Sequence, residues 1–470
     1  MAIKTLKKRE VVIAGGGPAG IMAAIAAARN GANTLLVEQN GYVGGTAATG
    51  LPLLSFHDNR GERIVSGIPW ELITRLMEME EAVVVRLAGA SASTEKTKGG
   101  ALYEGGAVYS AQSVPVRPEA LKYVAWEMLK EAGVEILLYT YVTDVVSSGG
   151  RVTGLVVENK SGRQEIPAER IVDCTGDGDV AFLSGASFEK GRQTDGVTQP
   201  MTMLFAIGGI DLDRAEAEGV AVRRNVDVID SEVWKSFYRK YDIMLNTWED
   251  RLVKDFPRSG VEKGFILRDW GDGVCYGGNM LHVPYYDASK GEELSKAVVD
   301  GRSLVWNLVR FMRENVPGFG RARLINTFDI GVRESRRIIG DYTLTYEDVI
   351  GAQRHEDDVA LNGYFVDIHD YDGSWFHIPK KGTQIKDYGS YGIPYRCLVP
   401  RGIDGLLVAG RCLSTTHEAH ASARVMGTCM ALGQAAGTAA ALSVKEKIMP
   451  RALDKQKIVT TLEAQGAIVR

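Results

Sequence analysis

No apolar stretch in this 470-residue chain is long enough to cross a bilayer; even the small-residue tail after Met426 is broken by Gln434 and several glycines. The first apolar run, Val11 to Ala14, is cut by glycines and is too short for the core of a signal peptide. A basic surplus is also lacking. The formal net charge is −4, so nucleic acid is not an expected partner. Cysteine is sparse: Cys174, Cys275, Cys397, Cys412 and Cys429 are odd in number, scattered and without a C-x-x-C pair. That pattern argues against a disulfide framework and a zinc site, predicts no metal centre, and fits a reducing cytoplasm. Proline is scarce, 14 residues against 54 glycines, which points to tight turns between strands and helices rather than disorder. Internal repeats and low-complexity tracts are absent.

What remains is a globular composition, with 45% hydrophobic and 24% charged residues. Its length exceeds what one core usually supports, so two domains are expected. Val11–Ala14 reads as a buried strand, Ile21–Arg29 as an alanine-rich helix and 33–38 (NTLLVE) as a second strand. Together they form a βαβ unit with parallel strands. Helices are expected at 69–81 and 118–133, followed by three strands at 134–146, 151–158 and 164–173. The glycine- and serine-rich stretch at 86–113 reads either as a lid or as an ordinary surface loop. From about residue 198 the character changes. Aromatic residues gather (Trp234, Tyr238, Tyr241, Trp248, Trp270), and helical patterns run near 228–256 and 291–315. The expected domains are 1–197, an inserted cap at 198–325, and a return at 326–470 that ends in strand 405–410 and a small-residue helix.

The turn Gly15-Gly16-Gly17-Pro18-Ala19-Gly20 fits G-x-G-x-x-G. Gly15 suits the tight turn, Gly17 a close approach of a pyrophosphate, and Gly20 the packing of helix on strand. Pro18 and Ala19 open a helix whose N-terminal N–H groups favour phosphate. Glu38 ends the next strand, where a carboxylate accepts from ribose hydroxyls and repels a 2′-phosphate. The ligand is therefore FAD or NAD.

Beyond Glu38 and Gln39 come Gly44-Gly45-Thr46, then YVTDVV at 141–146, IVDCTGDGD at 171–179, GLLVAGR at 405–411, and HEAHASARVMGTCMALGQAAG from His417. With these segments the chain resembles the bacterial FAD-dependent oxidoreductases, of glutathione-reductase-type FAD fold, related to the fumarate-reductase and thiazole-synthase flavoproteins. The resemblance implies an α/β fold, with a three-layer Rossmann-type FAD-binding domain carrying an inserted α+β substrate domain. It implies FAD as cofactor, contacted at Gly44, Gly45 and Thr46, by the backbone at Val142, at Thr175 and Gly176, and at Gly410. Gly427 and Thr428 would open the helix that faces the ring. Relatives often place an aspartate after Gly410; here it is Arg411, which suits a pyrophosphate better than a ribityl hydroxyl.

The resemblance places His417, His420 and Arg424 beside the flavin. Histidine suits proton transfer near neutral pH, and Arg424 suits either a substrate carboxylate or the anion of a reduced flavin. Either histidine could instead only position the cofactor. Arg333, Arg336 and Arg337 in GVRESRRIIG read as a salt-bridge cluster with Glu334, or Arg333 or Arg336 as a cleft residue, and Tyr391 as a substrate contact or as core. The expected function is hydride transfer between FAD and a small polar, carboxylated substrate, with an electron donor or acceptor left unnamed. The alternatives are a flavin monooxygenase, or a non-redox thiazole-synthase-like protein binding NAD or FAD. A homo-oligomer is left open.

Overall fold

The computed structural model describes residues 3–82, 85–87, 113–223, 226–228, 242–244, 267–269, 273–277, 281–369 and 382–470. Most of the stretch at 86–113 lies outside these residues, as do Trp234, Tyr238, Tyr241, Trp248 and Trp270.

The first apolar run forms strand Arg9–Ala14 and pairs in parallel with Thr34–Val37 on one side and with the end of Gly162–Asp173 on the other. Glu135–Leu137 and Leu406–Val408 extend the parallel sheet at its two edges. Both faces of the sheet are buried, which is why these strands read as unbroken apolar runs. Val11 and Ile13 face the helices Pro18–Arg29 and Met426–Lys445. Val12 and Ala14, which point the other way, join Val152, Leu155 and Val157 of an antiparallel meander. Helix, parallel sheet and meander are the three layers.

The single strand expected at 134–146 is two strands. Glu135–Leu137 belongs to the parallel sheet, and Tyr141–Ser148 pairs antiparallel with Arg151–Asn159. Tyr139, at φ 49°, makes the break between them.

The small residues of Met426–Lys445 have a specific cause. A Cβ on Gly433 would overlap the carbonyl of Ala19, and one on Gly437 the carbonyl of Ala23. The two helices therefore cross backbone to backbone. The helix is buried over Met426–Ser443 except at Ala431, and it bends 92° from the preceding His417–Ala423. Among the described residues no single helix is long and apolar enough to cross a membrane.

A second, antiparallel sheet is built around Met201–Gly208, which pairs with Val274–Gly277, His282–Val283 and Arg323–Gly331. Helix Gly291–Asn315 packs on it through Ala297, Val305, Leu308 and Met312. The return strand carries this cap sheet to Gly331, past residue 325. Within the expected helix at 228–256, Asp242–Met244 is instead a strand. Its hydrogen bonds go to Ala221–Arg223 and Leu267–Asp269 rather than along a helix.

Candidate functional site

One cavity of about 660 Å³ lies between the dinucleotide sheet and the cap. Its first end is made largely of main chain. Gly15 sits at φ 97°, and a Cβ there would lie 2.5 Å from the carbonyl oxygen of Cys174. Gly20 is equally closed, because a Cβ would overlap Gly15 O. These two glycines allow the first strand, the helix and strand Gly162–Asp173 to meet. Gly17 differs: no protein atom lies within 4 Å of where its Cβ would be. Helix Pro18–Arg29 starts there without a side-chain cap, so its first-turn N–H groups are available beside the cavity-lining Gly17, Pro18 and Ala19.

Glu38 is buried at the end of its strand. It accepts from Gly16 N at 2.6 Å and Asn40 N at 2.8 Å, while burial raises its pKa. Gln39, Gly45, Thr46, Val142, Thr175, Gly176, Gly410 and Arg411 also line the cavity. Gly44 lies just behind, its N–H donating to Gly16 O at 2.8 Å. Arg411 donates to Asp177 Oδ1 and to Ser335 Oγ, both at 2.9 Å. Asp173, whose carboxyl burial pushes up to about 6, fixes the Thr175 turn by accepting from its N–H and hydroxyl. An uncapped helix N-terminus, an open Gly17 and a strand-end carboxylate fit the ADP half of a dinucleotide. Gly427 and Thr428 are not among the lining residues; Val425, Met426 and Cys429 of the same turn are. A Cβ on Gly427 would instead lie 2.5 Å from Leu54 O.

The other end is a cluster of side chains from the antiparallel sheet and from segments after Gly331. Arg333 lines the cavity and donates to Pro200 O and Thr202 Oγ1, each at 2.6 Å, with His282 Nε2 at 3.2 Å. Burial, and then the charge of Arg424, bring it down to about 9, so it is still a cation at neutral pH. Arg424 also lines the cavity. Its Nη2 donates to Asp367 O at 3.1 Å and lies 3.4 Å from Gln199 Oε1, while its buried Nε has no partner among the described residues. Asp367 accepts from Tyr364 Oη at 3.1 Å and faces His369 Nε2 at 3.2 Å. Burial pushes the Asp367 carboxyl up, but His369, Arg424 and Arg333 outweigh it and hold it at about 2. Burial drives His369 down to about 4, and lowers His282, whose ring meets it edge-on at 5.0 Å, well below the usual value. Both rings are therefore neutral at pH 7.

Of the five side chains singled out for catalysis, Arg333 and Arg424 come together on this end. His417, His420 and Tyr391 are not among the described lining residues. His417 donates from Nδ1 to Glu334 Oε1 at 3.0 Å. Glu334 also takes Arg337, and although burial raises its pKa, His417 and Arg337 bring it down to about 2. His420 donates from Nε2 to Arg411 O at 2.9 Å, fully buried. Tyr391 is enclosed with Asn362 and Ser422, at 2.6 and 2.8 Å. Arg336 and Arg337 are in the salt-bridge cluster, pairing with Asp179 and Glu334.

Sequence reading did not single out Tyr364, Asp367, His369, His282 or Gln199. The scarcity of histidine, seven in the chain, was a usable signal for two of them. Among the described residues no group of three or more His, Cys, Asp or Glu side chains is placed to hold a metal.

The sequence model of a family described as FAD dependent oxidoreductase matches residues 10–462. Thiamine thiazole synthase of Aeropyrum pernix is 30% identical over 187 residues, 37% of this chain and 57% of the relative, so the chain spans little more than half of that protein's length. Among solved structures, GidA of Aquifex aeolicus matches with a TM-score of 0.51 at 15% identity, over 93% of this chain and 64% of that one. A geranylgeranyl bacteriochlorophyll reductase-like protein of Thermoplasma acidophilum gives 0.45 at 13% identity, over 99% and 84%. At such identity the likeness to GidA shows the fold alone.

Proposed function

The chain belongs to the FAD-dependent oxidoreductase family, with FAD as its cofactor, and from this premise we propose that it oxidises or reduces a small polar substrate bearing a carboxylate. FAD, when bound, supplies the two-electron acceptor or donor. Gly17, Pro18 and Ala19 hold its pyrophosphate, Glu38 its ribose, and Arg411 offsets phosphate charge. Arg333 and Arg424 bind the substrate carboxylate. The observation that carries this reading is Arg424, which lines the cavity and whose buried Nε–H no described residue accepts.

Asp367, held at about 2, stays ionised and orients Tyr364 and Arg424 rather than taking a proton. His417, His420 and Tyr391 act as positioning residues, through Glu334, the Arg411 carbonyl and Asn362. All five cysteines are free and buried, which suits work in the reducing cytoplasm.

Anaerobic mixing of the purified holoenzyme with a panel of small hydroxy- and amino-carboxylic acids tests the proposal. Bleaching of the flavin band by at least one acid is expected. Bleaching by NAD(P)H alone, with no acid perturbing the spectrum, overturns it.

A further inference from the structure

Gln199 is not titratable and does not line the cavity, yet it joins the segments that build the substrate end. The chain enters the cap through Gln199 and Pro200 and leaves it through Arg333 and Glu334, on either side of strands Met201–Gly208 and Arg323–Gly331. These two crossings are tied together. Gln199 N donates to Glu334 Oε2 at 3.1 Å, and Arg333 Nη1 donates to Pro200 O at 2.6 Å. The other oxygen of Glu334 takes Arg337 and His417. The backbone of Gln199 is thus fixed by a carboxylate that is itself fully engaged.

The Gln199 side chain, 2% exposed, then reaches the dinucleotide domain. Its Oε1 accepts from His369 N at 3.1 Å and faces Arg424 Nη2 at 3.4 Å. Both partners are donors, so the amide can take only one orientation, oxygen toward them. Arg424 Nη2 is held between this oxygen and Asp367 O, which sets the plane of the guanidinium and leaves Nε turned elsewhere. A planar fork binds a carboxylate well only when its plane is fixed.

We infer that Gln199 is a positioning residue for substrate recognition: it aims Arg424 and the Asp367–His369 segment from the entry strand of the cap, and so makes carboxylate affinity depend on the junction of the two domains. The inference rests on the reading of Arg424 as a carboxylate-binding residue. Gln199 touches neither substrate nor cofactor; its effect passes through Arg424.

The test is a double-mutant cycle on the holoenzyme, with acetate and benzoate as unreactive probes and the shift of the flavin absorbance band as readout. Gln199→Met, close in shape and without the acceptor, should retain FAD at full occupancy and weaken benzoate about tenfold. Arg424→Met should weaken it at least as much. The pair should be no weaker than Arg424→Met alone, because both changes remove one interaction. With a turnover substrate, the Gln199→Met loss should appear in KM and not in kcat. Wild-type affinity in Gln199→Met, or effects that add in full, overturns the inference. Wild-type affinity in Arg424→Met, or no response of the unmutated enzyme to either probe, overturns the carboxylate reading instead. If Gln199→Met does not fold, Gln199→Asn is read by the same criteria, since its amide is one methylene short of Arg424.

Discussion

The two ends of the cavity are built on opposite principles. The dinucleotide end is mostly main chain: glycines at fixed spacing, a helix N-terminus and one strand-end carboxylate within residues 15–38, with the turns at 175–176 and 410–411 beside them. The substrate end is side chain: Thr202, His282, Arg333, Asp367 and Arg424 come from distant segments and meet only in the folded protein. Binding a pyrophosphate needs backbone geometry, which any sequence with the right glycines provides. Recognising one substrate among many needs particular groups at particular angles, and these can change without disturbing the sheet below.

If the comparison holds, the largest effects belong to the main-chain end and to the helix crossing beneath it. Gly433→Ala drives a methyl group into the carbonyl of Ala19, and Gly20→Ala into that of Gly15. Backbone on both sides leaves no side chain to give way. Each variant is expected to lose at least the upper part of the about 1–3 kcal/mol typical of overpacking, and to lose FAD with the fold. Chemical denaturation together with the flavin-to-protein ratio measures both.

The next effect lies at the side-chain end. Arg424→Met should fold and hold FAD as the wild type does, while carboxylate affinity falls about 10- to 100-fold. Flavin retained with the ligand lost is the signature that separates the two ends. Loss of both together would show that they are not independent.

A third effect depends on pH. His282, His369 and His420 all have lowered folded-state pKa values, His369 to about 4, mainly through burial. Below about 6.5 the unfolded chain takes protons that the folded protein does not, so stability falls as pH drops toward 4. Asp173, raised to about 6 by burial, acts in the opposite sense: from about pH 3.9 to 6 the folded state holds the extra proton. Each histidine contributes about 1.4 kcal/mol per pH unit. His420→Gln keeps an N–H for the Arg411 carbonyl and removes one titration. Between pH 7 and pH 5 it should lose less stability than the wild type. Urea midpoints at the two pH values decide this, and an unchanged difference would mean that His420 titrates normally in the fold.

The same contrast explains what the sequence revealed. The βαβ unit, the glycine turn, Glu38 and helix Gly291–Asn315 are local patterns with local causes, and they could be read from residue order. The division of 134–146 into two strands could not, because the β-rich sequence is continuous and only Tyr139, in a left-handed conformation, redirects it. The assignment of His417 and His420 to the ring illustrates the limit at the site. Both lie on the element next to Arg424, but helix His417–Ala423 turns them toward Glu334 and the Arg411 carbonyl. Sequence proximity gave the segment and not the face. Asp367 and His369 had no flanking motif to mark them: Tyr364 is near in sequence, but the arginines that give them meaning, Arg333 and Arg424, are more than thirty positions away.

The smallest effect on the polypeptide itself is also the sharpest test of the comparison. Gly15, Gly17 and Gly20 belong to one motif, but only two of them are required by the protein's own packing. Gly17 has φ −74°, ordinary for any residue, and an added Cβ meets no protein atom within 4 Å. Gly17→Ala should therefore leave the stability of the FAD-free protein within about 0.5 kcal/mol of wild type. If glycine at this position serves the pyrophosphate, the added methyl group occupies the ligand's space, and FAD affinity should fall although the fold is untouched. Calorimetry with FAD and denaturation of the FAD-free protein separate the two quantities. A Gly17→Ala protein that binds FAD normally would place the pyrophosphate elsewhere on the cavity wall, and the dinucleotide end would then depend on side chains as much as the substrate end does.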